Sequence, residues 1–187
     1  MINGNDILRA AYGAGRLALR DRGGMAFFDV SYEGFWRSFA IYVLVLPAYL
    51  FLAVARPGDG GGQDIDALLL AKTLSFAASV IAFPVAMIAV SRAFSLQAHY
   101  VPFIVAYNWG QIVVVAVAVV LAAMGNLLPL GRAIELTLSI ALRLWSLYFL
   151  WFIARVALQA SGQTAAAVTA LEFVLSLAVQ SAVESAF

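Results

Sequence analysis

The sequence predicts an all-α fold, a polytopic membrane helix bundle of about five transmembrane helices behind a cytoplasmic amphipathic N-terminal segment. Three observations carry this reading. The chain of 187 residues is 64% hydrophobic and only 11% charged, whereas a soluble domain is about 25% charged. Its apolar residues come in runs of about 20, the length at which a helix rising 1.5 Å per residue crosses a hydrocarbon core of about 30 Å. Glycine, proline and charge gather between the runs. Lipid is the solvent that suits such a chain.

Residues 1–34 form the N-terminal segment and 35–187 the membrane bundle. Asn5 or Asp6 can cap a short helix reaching about Arg20, because a side-chain oxygen there accepts from a free first-turn amide. Arg9, Arg16 and Arg20, at offsets of seven and four, give a basic face, and Ile7, Leu8, Ala11 and Leu17 an apolar one. That pattern fits a helix lying on the membrane with its arginines toward lipid phosphates. A plain solvated helix is the alternative, and Gly13 and Gly15 weaken both. The segment lacks the apolar core of a cleavable signal, so the first span is expected to serve as an uncleaved insertion signal. Phe27, Phe28, Tyr32, Phe35 and Trp36 then crowd the approach to that span, as aromatic rings do at a lipid–water boundary.

The expected spans run from about Phe35 to Ala55, Ala67 to Val90, Val101 to Met124, Ile134 to Leu158 and Thr164 to Ala186. The fifth is alanine-rich and carries Glu172, Gln180 and Glu184, so an interfacial helix is its alternative. Arg56-Pro57-Gly58-Asp59-Gly60-Gly61-Gly62 is a connector; it lacks the lysine and hydroxyl of a phosphate-binding loop. Pro129-Leu130-Gly131 and Ser161-Gly162-Gln163 punctuate the later connections. Pro47 and Pro84 interrupt the first two spans, and Ala78, Ala82 and Ala86 predict a close-packing seam. Arg9, Arg16, Arg20, Arg22, Arg37, Arg92 and Arg155 fall on one side and Arg56, Lys72 and Arg132 on the other. The positive-inside rule then puts the N-terminus in the cytoplasm.

Two charges lie deep in apolar runs. Arg143 shares a helix face with Glu135, Ser139 and Ser146 on the fourth span, and Glu172 with Thr169, Ser176 and Gln180 on the fifth. From the cytoplasmic boundary they lie about 18 Å and about 12 Å deep at 1.5 Å per residue. An isolated charge in hydrocarbon costs at least several kcal/mol, so an Arg143–Glu172 ion pair, direct or through water, is expected. Asn108 and Gln111 on the third span would join this intramembrane polar layer. Such a layer either lines a substrate or proton path or fixes helix register, and one acid–base pair in a small bundle favours register.

Catalysis and cofactors find no support in the sequence. Cysteine is absent and His99, placed in a short cytoplasmic connection, is the single histidine. Thiolate, multi-histidine metal and bis-histidine haem sites are therefore excluded within this chain. The formal charge of +1 does not suggest nucleic acid. No catalytic, cofactor-binding or metal-binding residue is expected.

The run Phe83-Pro84 through His99-Tyr100-Val101-Pro102-Phe103-Ile104-Val105-Ala106-Tyr107-Asn108-Trp109, within about five spans and short loops, resembles the Yip1-type family of small membrane proteins. The likeness is of the uncharacterised bacterial inner-membrane kind. It implies no catalytic residues, and the acidic, tyrosine-containing segment of eukaryotic members is not evident. The function expected is a non-enzymatic accessory, scaffold or assembly subunit, contacting the lipid bilayer and other membrane subunits or a second copy. A small transporter or channel using the Arg/Glu/Asn/Gln layer is the alternative.

Overall fold

The computed structural model describes residues 3–54, 65–128 and 131–185. The glycine-rich connector from Arg56 to Gly62, Pro129-Leu130 and the last two residues lie outside them. Among the described residues every regular element is helical: α1 (Gly4–Ala18), a 3-10 turn (Arg22–Phe27), α2 (Tyr32–Ser38), α3 (Ile41–Val54), α4 (Ile65–Ala93), α5 (Gln97–Leu127), α6 (Arg132–Ala157) and α7 (Gly162–Glu184). Five stretches are long and apolar enough to cross a membrane: Tyr32–Val54, Ile65–Ala93, Gln97–Leu127, Arg132–Ala157 and Gly162–Val183. The protein is thus an integral membrane protein, and its fifth apolar run is one continuous helix of spanning length.

Neighbouring helices pack so that α5 touches α3, α4 and α6, while α7 closes the bundle against α4 and α6. No more than 22% of the residues in the most apolar window of any span are buried, so most residues of those windows keep some exposure at the surface of the bundle. The dense core lies in the N-terminal half of α5, where every residue from Phe103 to Gly110 is buried. Around it sit α1, α2, α3, α4 and the end of α6.

The first span is broken. Tyr42 N–H reaches Phe39 O at 3.1 Å and Val43 N–H reaches Ala40 O at 3.2 Å, three-residue bonds that tighten the chain between α2 and α3. Ser38, at the break, turns its hydroxyl onto Phe35 O at 2.7 Å. Pro47 and Pro84 lie inside continuous helices. The alanine seam is not a buried one: Ala78 is exposed, and Ala82 and Ala86 are half-buried.

The N-terminal segment differs from expectation in its cap, its face and its glycines. Asn3, rather than Asn5 or Asp6, caps α1 by accepting from Asn5 N–H at 3.4 Å. The docked face is Ala10, Gly13, Ala14 and Leu17, while Leu8 is 70% exposed. Gly13 is there for contact: an added Cβ would stand 2.8 Å from both Gly24 O and Phe27 Cβ. Gly24 returns the fit, since its own Cβ would run into Gly13 O. The helix ends in a Schellman turn, with Asp21 N–H on Arg16 O and Arg20 N–H on Leu17 O, both at 2.9 Å. Arg20 takes the left-handed position at φ 66°.

Candidate functional site

The residues expected to form one polar layer occupy two separate places. Gln111, Arg143 and Glu172 line a cavity of about 70 Å³ between α5, α6 and α7, together with Tyr107 and Ser146. That volume admits several water molecules, which need polar partners of this kind. Its wall is close-packed at Gly110, where an added Cβ would stand 3.0 Å from Ile153 Cδ1.

Asn108 lies in a different place. It is fully buried, and its amide closes a network with the broken first span: Tyr42 Oη donates to Asn108 Oδ1 at 2.9 Å, and Asn108 Nδ2 donates to Ser38 Oγ at 2.8 Å. Ser38 Oγ donates in turn to Phe35 O, so the chain of bonds ends on the backbone beside the break. Ser38 and Tyr42 were not among the residues expected at a polar site. Their spacing of four, one turn of an unbroken helix, was the available signal in the sequence. Among the described residues no buried side-chain nitrogen or oxygen lacks a partner.

Arg143 and Glu172 share the cavity without a direct ion pair. The guanidinium donates to Ser176 Oγ at 2.9 Å and lies 5.1 Å from the Phe173 ring centroid. It is thus held to α7 on the turn after Glu172. The other hydroxyls of the two faces turn back on their own helices: Ser139 to Glu135 O, Ser146 to Arg143 O and Thr169 to Ala165 O. Hydroxyls bonded to carbonyls one turn back contribute no bond between helices. From Arg132 to Ala141 only Leu138 is not exposed, and Arg143 is exposed as well.

The three arginines of the expected basic face also part company. Arg9 donates to Ala26 O at 3.2 Å. Arg16 pairs with Asp21, its Nε 2.6 Å from Oδ2, and lies over the Phe27 ring at 5.3 Å. Arg20 lies over the Tyr148 ring at 5.3 Å. The bond from Arg16, and then that from Gly23 N–H, hold the Asp21 carboxyl below its usual 3.8. Hydrogen bonds from Ser31 lower Asp29 in the same way. A second cavity, of about 60 Å³, opens between α1, α2 and α5, with Asp6, Arg9, Asp29, Arg37 and Trp109 on its walls.

His99 sits in the first turn of α5, half-buried, rather than in a loop. Among the described residues no three of His, Cys, Asp and Glu are grouped as a metal site. No protein-family model, curated protein or solved structure matches the chain.

Proposed function

We propose that this protein is a non-enzymatic accessory or assembly subunit that receives a partner's membrane helix along the polar face of α6. One observation carries the reading. Arg143 lies eleven residues into α6, about 17 Å from its start at 1.5 Å per residue, and is exposed there. A guanidinium offers five donors, and the hydrogen bond to Ser176 accounts for one. An arginine facing hydrocarbon at that depth costs several kcal/mol. A partner helix with a carboxylate or amide at the same level removes that cost.

The arginine distribution supports a cytoplasmic N-terminus, with the C-terminus across the membrane after five spans. The likeness of the Phe83–Trp109 run to the Yip1-type family supports a bacterial inner-membrane setting. A C-terminal reporter fusion tests the orientation, and activity on the cytoplasmic side would contradict it.

The cavity favours a second reading, a small transporter or channel, because Gln111, Arg143 and Glu172 meet there with room for water. Purification in gentle detergent with mass spectrometry separates the two. A stoichiometric membrane partner, lost on Arg143→Leu, is the result expected of the subunit. A lone monomer whose solute flux in liposomes disappears on Glu172→Gln would replace that reading with transport.

A further inference from the structure

The outer edge of α1 takes no part in docking the helix to the bundle. Leu8, Tyr12 and Leu19 are 70%, 59% and 83% exposed. At 100° per residue their directions fall within about 40° of one another, roughly opposite the docked Ala10, Gly13, Ala14 and Leu17. This edge is a second apolar face on a helix whose first is already used.

Contacts at the two ends of α1 show where the edge lies. Asp6 and Arg9 share the second cavity with Arg37 of α2 and Trp109 of α5. At the other end, the Arg20 guanidinium lies over Tyr148 of α6. The helix therefore crosses α5 from α2 to α6, with its outer edge turned away from the bundle. Beyond Tyr148 the flank of α6 continues with Leu144 and Ile140, 63% and 60% exposed within a spanning stretch. On the α2 side Tyr32 and Trp36, 78% and 58% exposed, stand at the start of the first span.

We infer that the Leu8–Tyr12–Leu19 edge of α1 is seated in the acyl–headgroup boundary of the bilayer, so that the N-terminal segment is a lipid-binding collar. The occupant is a lipid surface because the edge is continuous with the lipid-facing flank of α6. It also lies between that flank and the exposed rings of α2, which suit the same boundary. Leucine and tyrosine with arginine alongside is the composition of an interfacial helix. The exposed cations beside it are Arg9, Arg20 and Arg22, whereas Arg16 is engaged with Asp21. The apolar surface, more than a basic face, sets the depth of the collar. The Gly13–Gly24 contact presents the edge already formed.

The absence of cysteine makes the test direct. Leu8→Cys, Tyr12→Cys and Leu19→Cys are each spin-labelled in the full chain and reconstituted in vesicles of phosphatidylcholine and phosphatidylglycerol. Ser95→Cys, in the exposed turn between α4 and α5, is the aqueous reference. Relaxation by oxygen, which partitions into lipid, should exceed relaxation by a water-soluble nickel chelate at all three positions, and the order should reverse at Ser95→Cys. Nickel dominance at any of the three would overturn the inference. So would shielding from both reagents, which would place protein rather than lipid on the edge.

Discussion

Arg143 donates to Ser176 at 2.9 Å and passes over Glu172, although acid and base line the same cavity. Charge reversal therefore should not rescue. Arg143→Glu combined with Glu172→Arg is expected to accumulate no better than either single variant. A double-mutant cycle between Arg143 and Ser176 should show a coupling of about 0.5–1.5 kcal/mol, the range of polar contacts between membrane helices. The amount of protein in the membrane measures the first and unfolding in detergent the second, and full rescue by the reversal would reinstate a direct pair.

The Asn108 network makes a sharper demand on stability. Asn108→Leu leaves the Tyr42 hydroxyl without its acceptor against an apolar side chain, which should cost about 1–3 kcal/mol, while Ser38 Oγ loses a donor but keeps its bond to Phe35 O. Adding Tyr42→Phe and Ser38→Ala should recover part of that loss, since both hydroxyls are then gone from beside the leucine. Thermal unfolding of the single and triple variants gives the comparison. A triple variant no better than the single would show that the network acts through packing.

Gly13→Ala and Gly24→Ala each force the collar apart at a backbone contact. Overpacking of this kind costs about 1–3 kcal/mol. Limited proteolysis between Leu19 and Ser31 should accelerate in both variants, while Gly15→Ala, with open space around its Cβ, should not change it.

The collar should also loosen in acid. Asp21 and Asp29 have folded values below the ordinary 3.8, so each stabilises the fold above that value. The contribution falls as pH drops through 3.8 and is gone below the lowered folded values. The same proteolysis assay, read from pH 6 downward with an acid-tolerant protease, should show cleavage rising in that window. Asp21→Asn should cleave faster at pH 6 and change less with pH.

Ser95 closes α4 in a left-handed conformation at φ 55°, with Leu96 N–H on Ser91 O at 2.7 Å. A residue with a Cβ there is strained by about 1 kcal/mol relative to glycine. Ser95→Gly is expected to raise the unfolding temperature. A fall would mean that the lost hydroxyl or the looser unfolded chain outweighs the relief.

The spans were legible because hydrophobic length is a one-dimensional property. Helix faces were partly legible as well: Arg143, Ser176 and Glu172 do meet where α6 and α7 pack. Which acceptor the guanidinium takes was not, because adjacent turns differ by a few ångströms and a long side chain reaches either. Asn108 and Gln111 looked like one group at a spacing of three, yet one is held by the break after Ser38 and the other opens on the cavity. That break left no mark in the hydrophobic run. Gly13 counted against the helix in sequence, because a close approach is visible only once Gly24 is placed against it.

The Gly13–Gly24 contact also bears on the order of assembly. Its two halves are eleven residues apart, so the collar can fold on itself as soon as it leaves the ribosome. The surface that Ala10, Ala14 and Leu17 must cover lies on α5, whose buried half begins at Phe103. Between the two events some eighty residues, including the first two spans, must be synthesised. Throughout that interval the side of the collar that α5 will cover has no α5 to cover it. A surface in that condition is one that a chaperone or the bilayer itself must occupy until α5 arrives.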